Sequence, residues 1–213
     1  MAEKPARVMR RRILRWVLLA VAAPILGVAG FFFYRGVLIT NFDCVVPGKV
    51  YRSAQPSPAQ LKRWIDEYGL KTVINLRHDA PKTGLAEETA AAEAAGATII
   101  NIRLSSTKLP EPADLVRLAD VLETAPQPLL LHCKFGADRS GVASVMARMA
   151  VGGKSYARSR EQLDIRFLHV DSNPAHIEGV LLRYEQWCRD HHEDTGGWTE
   201  FRRWLAEDYR ATP

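Results

Sequence analysis

His132-Cys133-Lys134-Phe135-Gly136-Ala137-Asp138-Arg139-Ser140-Gly141 is the stretch from which this 213-residue chain is best read. Pro128-Leu129-Leu130-Leu131 enters it as an apolar run, and residues 142–150 leave it as a helix-compatible one. The pattern predicts a buried strand, a tight loop and a helix start. A thiol then closes the strand and a guanidinium opens the helix, with five residues between them. Backbone N–H groups in such a loop, together with the positive end of the helix dipole, form a cradle for an oxyanion. The same field favours a thiolate, which makes Cys133 a nucleophile at neutral pH. Arg139 presents a planar fork of donors that matches two phosphate oxygens at once.

His-Cys, five residues, then Arg-Ser-Gly resembles the phosphate-binding loop of the cysteine-dependent protein tyrosine phosphatases. Tyr51-Arg52-Ser53-Ala54-Gln55-Pro56-Ser57 and Thr72-Val73-Ile74-Asn75-Leu76-Arg77 resemble the flanks of their compact dual-specificity branch, found in bacteria, fungi and plants. The likeness covers residues 42–150 well and the later helices loosely. It implies a three-layer α/β fold with a mostly parallel central sheet. It also implies a metal-independent phosphatase, without cofactor, that hydrolyses phosphotyrosine, phosphoserine or phosphothreonine through a phospho-cysteine intermediate. On this resemblance Cys133 attacks phosphorus. The loop residues Lys134, Phe135, Gly136, Ala137, Asp138 and Arg139 hold the phosphate oxygens, and His132 orients the loop. Ser140 bonds the departing thiolate, caps the following helix, or does both.

The general acid is less plain. In the related phosphatases an aspartate ahead of the preceding helix protonates the leaving oxygen. Leu109-Pro110-Glu111 stands at that place, so Glu111 is the leading candidate, although it departs from the usual aspartate. Asp138 ranks second, at a position where myotubularin-type lipid phosphatases carry an acidic residue; bracing the loop is its alternative role. Asp114 ranks third, with a first-turn dipole role as its alternative. Lys134 resembles the loops of phosphatases that act on phosphoinositides or inositol phosphates, the alternative being a solvated lysine. His78, Lys82, Arg103 and Lys108 follow strands and are further candidates for the same mouth.

Charge and hydropathy divide the chain. Lys4, Arg7, Arg10, Arg11, Arg12 and Arg15 face only Glu3 within residues 1–15, so this tail carries the whole net charge of +5. The balanced remainder argues against a nucleic-acid binder. Residues 16–34 then run without a charge, and as a helix would extend about 28 Å, close to the roughly 30 Å of bilayer hydrocarbon. The expected organisation is a basic cytoplasmic tail at 1–15, a transmembrane anchor at 16–38 and a phosphatase domain at 42–213. A cleaved signal peptide and a buried core helix are the alternatives to the anchor. The arginines place the domain on the non-cytoplasmic side, the periplasm in a bacterium. Cys44 and Cys188 are candidates for pairing there, with Cys188 alternatively a buried helical thiol. His191 and His192 read as a polar helix end, and no metal is implied. Oligomeric state is not legible.

Alternating elements predict the rest. A hairpin spans 45–52, with residues 40–43 as a linker ahead of it. Strands are expected at 71–76 and 98–102. Helices are expected at 58–68, 84–95, 110–124, 155–168, 175–192 and 198–209. Such alternation places ligands beyond the carboxyl ends of the strands. Two other classes compete. A catalytically inactive phosphate-recognising module would not need the thiol, and a thiol oxidoreductase would need a Cys-x-x-Cys pair that the chain lacks.

Overall fold

The computed structural model describes residues 5–34, 40–77, 84–170 and 173–211. They form two units, an N-terminal helix and a domain that begins at Thr40. The helix, α1 (Pro5–Phe33), carries Pro24 inside it. From Met9 to Phe33 it is long and apolar enough to cross a membrane, and none of that span is buried within the chain. From Trp16 onward the helix carries no charge and is uncovered, the character of a lipid-facing span; a signal sequence shares these properties.

The domain is built on a five-stranded sheet of order β1-β2-β5-β3-β4. The strands are β1 (Asp43–Val46), β2 (Val50–Ser53), β3 (Thr72–Asn75), β4 (Thr98–Asn101) and β5 (Leu129–His132). β1 runs antiparallel to β2 through the turn at Gly48; every other pairing is parallel. Successive strand side chains alternate between faces. Val73 and Leu130 therefore pack with Leu61, Trp64 and Ile65 of α2 (Pro58–Tyr68) and Ala92 of α3 (Leu85–Ala94). Ile74, Leu129 and Leu131 join a larger core with α4 (Pro112–Thr124), α5 (Asp138–Ala150), α7 (Gly179–Asp190) and α8 (Trp198–Glu207). These are the three layers expected. β5 is buried on both faces, as a central parallel strand must be.

α5 is the innermost helix: Ser140 to Ala147 and Met149 are all buried. Gly141 is what lets its neighbour approach, since a Cβ there would lie 2.5 Å from Leu163 Cδ2. α2 opens with a capping box between Ser57 and Gln60 and ends on Gly69 at φ 63°, a conformation glycine adopts freely.

The helix after the motif begins at Asp138, so Arg139 opens it as expected and Ser140 stands in its first turn. Three expectations are corrected. Residues 155–168 are not one helix: α6 (Tyr156–Ser159) is followed by 3₁₀ turns at Arg160–Gln162 and Ile165–Phe167. Asp164 caps the second turn, and Leu168 at φ 65° reverses the chain, so a continuous helix is impossible there. The next helix starts at Gly179 instead of 175 because Asn173 forms a turn onto the Ala175 N–H. The supposed linker at 40–43 is part of the domain: Asp43 opens β1, and Asn41 is fully buried.

Candidate active site

β5 delivers His132 to the carboxyl edge of the sheet, Cys133 follows, and α5 begins at Asp138. The intervening turn has Gly136 at φ 70°. A Cβ at that position would lie 2.5 Å from the Ala54 nitrogen and 2.6 Å from the Ser53 carbonyl carbon, so only glycine fits. Carbonyls 134–137 are each held by a donor outside the loop. Gln55 N–H donates to the Lys134 carbonyl at 3.4 Å. Asn41 Nδ2 donates to those of Phe135 and Gly136 at 3.2 and 3.0 Å. Arg52 Nη2 donates to those of Gly136 and Ala137 at 2.7 and 3.1 Å. The C=O and N–H of a planar trans peptide point in opposite directions. Holding carbonyls 134–137 toward these donors turns the N–H groups of residues 135–138 the other way. The result is a nest of donors at a helix N-terminus, the arrangement that accepts an anion.

Arg52 is fully buried in β2. Its other nitrogen, Nη1, donates to the Gln162 carbonyl at 2.6 Å and to Gln162 Oε1 at 3.1 Å, and its guanidinium lies 4.3 Å from the Phe167 ring centroid. Asn41 adds a bond to the Phe167 carbonyl at 2.8 Å. The broken segment after α6 and the loop are thus tied through the same two side chains.

Cys133 is 2% exposed at the base of the loop. Arg139 Nη1 reaches the Leu104 carbonyl at 3.4 Å. Ser140 Oγ donates to the Ser53 carbonyl at 3.3 Å, and no side chain caps α5, so the capping role considered for Ser140 is not the one it takes. Lys134 and Phe135 form the exposed tip, with Lys134 Nζ 5.1 Å from the Phe135 ring centroid.

Behind the cysteine, His132 Nε2 lies against Glu88 Oε1. The second Glu88 oxygen accepts from Arg77 Nη2 at 3.1 Å, and Arg77 also binds Asn75 Oδ1 and Gln55 Oε1. All of Arg77, Glu88 and His132 are buried. Burial pulls the Arg77 guanidinium below its ordinary range against the pull of Glu88, and Arg139 and Cys133 lie close enough to act on it as well.

The three acid candidates occupy different surroundings. Asp138, the first residue of α5, bonds His169 Nδ1 through Oδ1 at 2.9 Å. Glu111 is exposed ahead of α4 and lines a cavity of about 560 Å3 with Lys108, Pro174 and Arg183. None of residues 132–140 lines that cavity. Asp114 lies in the first turn of α4. Arg103 and Lys108 are exposed on the segment after β4, whereas His78 and Lys82 lie outside the described residues. The cysteines are free thiols, Cys44 exposed and Cys188 buried in α7.

Sequence reading missed Asn41, the role of Arg52, the Arg77–Glu88–His132 cluster, and His169 with Glu178. Arg52 and Arg77 left a signal, each a cation in or just after a short strand, where its charge needs buried acceptors.

Fold and family match together place the chain in the cysteine-based protein tyrosine phosphatase superfamily, of the compact dual-specificity type. The chain belongs to the family described as DSP-PTPase phosphatase fused to NAD+ kinase, whose model matches residues 39–174. Comparison with curated proteins gives no match. Among solved structures, a putative phosphatase (DUF442) of Shewanella putrefaciens CN-32 is 16% identical, with a TM-score of 0.53 over 83% of this chain and 98% of its own. PTPMT1 in complex with PI(5)P is 17% identical, with a TM-score of 0.54 over 71% and 98%. TpbA of P. aeruginosa in complex with pTyr is 20% identical, with a TM-score of 0.49 over 75% and 87%. At these identities the likeness is one of fold.

Proposed function

We propose that this chain hydrolyses phosphate monoesters through a phospho-cysteine intermediate, with no metal or cofactor. The observation that carries the reading is the clamp on carbonyls 134–137, which aims the loop's N–H groups at a common anion. Cys133 attacks phosphorus in line, and its lone pair forms the S–P bond as the ester P–O bond breaks. The N–H groups of the loop and the Arg139 fork hold the equatorial oxygens as charge moves onto them. His132, fixed by Glu88, sets the direction of the loop at its entry. Ser140 holds the loop to β2 through Ser53 and stands in the first turn of α5, near the sulfur's helix terminus. Asp138 takes the acid role in this reading because it belongs to the loop itself; Glu111 and Asp114 are its competitors.

The favoured substrates are phosphorylated protein side chains. A phosphoinositide or inositol phosphate is the second reading, supported by the exposed Lys134 beside Phe135 and by the PI(5)P held by PTPMT1. In the cell we place residues 1–15 as a cytoplasmic tail, 16–38 as the anchor and the phosphatase domain, residues 42–213, beyond the membrane.

The test is turnover of p-nitrophenyl phosphate by the full chain in detergent with EDTA present. Cys133→Ser is expected to lower kcat by about 10⁴-fold or more. Turnover untouched by the substitution would remove the nucleophile, and binding of phosphate without turnover in the parent would make the chain a recognition module. Asp138→Asn and Glu111→Gln, compared by pH–rate profile, identify which carboxyl supplies the proton.

A further inference from the structure

His169 lies outside every motif of the sequence, yet it is buried directly behind the phosphate loop. Its Nδ1 is 2.9 Å from Asp138 Oδ1 and its Nε2 is 2.9 Å from Glu178 Oε2. A neutral imidazole has one N–H, whereas two carboxylates need two donors. The three groups together therefore hold one proton more than a neutral ring between two ionised carboxylates would. That proton cannot settle on Glu178, because Arg160 Nη1 already donates to Glu178 Oε1 at 2.7 Å. Arg160 is braced in turn by Glu185 Oε1 at 3.1 Å, which also accepts from Tyr156 Oη at 2.6 Å. The mobile proton belongs to the other end, between His169 Nδ1 and Asp138. That end is also the open one: the Asp138 side chain is 32% exposed, against 7% for His169 and for Glu178.

We propose that His169 is a positioning residue that holds the catalytic proton behind Asp138 and resupplies it during turnover. The inference rests on the phosphatase reading above. In the first step Cys133 sulfur bonds phosphorus, the ester P–O bond breaks, and the one shared proton moves from His169 Nδ1 through the Asp138 carboxylate to the leaving oxygen. The ring ends neutral and Asp138 ionised. In the second step water attacks phosphorus and gives its proton to Asp138, which returns one to His169 as the S–P bond breaks to thiolate. The sum is ester plus water going to alcohol plus phosphate, with the relay restored.

Asp138 of α5 and Glu178 ahead of α7 are the charged groups on the ring, and Arg160 stands behind Glu178. Burial alone would pull the imidazole down, but hydrogen bonds to the two carboxylates outweigh it and lift it to about 9. A ring of that acidity suits a poor leaving group, which needs a proton, more than an acidic phenol, which does not.

The experiment compares kcat for phenyl phosphate with kcat for p-nitrophenyl phosphate in the full chain in detergent, across pH, for the parent, His169→Gln and Glu178→Gln. In the parent, phenyl phosphate turnover should fall as pH rises through about 9. His169→Gln should shift the ratio of the two kcat values by about 10²-fold against phenyl phosphate and abolish that alkaline limb. Glu178→Gln leaves the ring one carboxylate and should move the limb to lower pH. An equal loss on both substrates in His169→Gln, or a limb that neither variant moves, overturns the proposal. Should His169→Gln fail to fold, the limb in Glu178→Gln decides alone. If turnover depends on Cys133 but the substrate ratio is unchanged, only the relay falls. If the parent shows no Cys133-dependent turnover, the phosphatase reading falls and takes the relay with it.

Discussion

Two histidines back the phosphate loop from opposite ends, and their surroundings differ in kind. At the cysteine end, His132 meets one carboxylate, Glu88, which is shared with the Arg77 guanidinium in a wholly buried cluster. At the arginine end, His169 has a carboxylate on each ring nitrogen, and one of these, Asp138, opens toward solvent. The first arrangement already joins a cation to its anion and has every reason to stay fixed. The second cannot satisfy both contacts without an extra proton. One end of the loop is a mounting and the other is a titrating element, although both read as a histidine beside an acid.

The largest effect expected from this contrast is at the mounting. Glu88→Ala removes the one carboxylate that Arg77 and His132 share, leaving a guanidinium buried without it. A loss of about 3–5 kcal/mol in urea unfolding is expected; a loss below about 1 kcal/mol would show that the cluster is no mounting at all.

Next comes the titrating end, read through stability instead of rate. His169 is lifted from an ordinary value of 6.5 to about 9. A raised folded value means that the added stability is fully present below about pH 6.5 and is lost as pH climbs through about 9. The span is worth up to about 3 kcal/mol. Urea midpoints of the parent should drop across this window, while His169→Gln should show a flatter profile. Equal slopes in the two proteins would erase the distinction between the histidines.

The smallest effect belongs to the Lys134 side chain at the tip, whose neighbour is the Phe135 ring and not either end. Lys134→Ala should leave stability within about 0.5 kcal/mol. Its consequence should be a raised KM for substrates bearing more than one phosphate, with p-nitrophenyl phosphate little altered. A large stability change would mean that the tip is tied to one of the two ends after all.

The parts legible in the sequence were those whose physics is local. A strand ending in a thiol, a glycine turn and a helix carrying an arginine lie within ten consecutive residues, and short-range geometry suffices to predict the cradle. The sheet's parallel order also followed from alternating elements. What holds the cradle in place was not legible, because its partners meet only through topology. β2 lies beside β5 in the sheet, so Arg52 reaches carbonyls 84 and 85 positions away. Asn41 spans 94 and 95 positions from a stretch that looked like a linker. His169 escaped for a second reason. Residues 155–168 carry enough helix formers to suggest a single helix, and a continuous helix would have carried the chain past the turn at Leu168 that brings His169 to Asp138.

α5 presents the guanidinium at its first turn and is enclosed over almost its whole length. Among the described residues, the working end is joined directly to the interior. The loop cannot loosen while the interior stays intact, because its anchor is the interior. Warming should silence turnover and dissolve cooperative structure in a single event, with no folded but idle form accumulating between them.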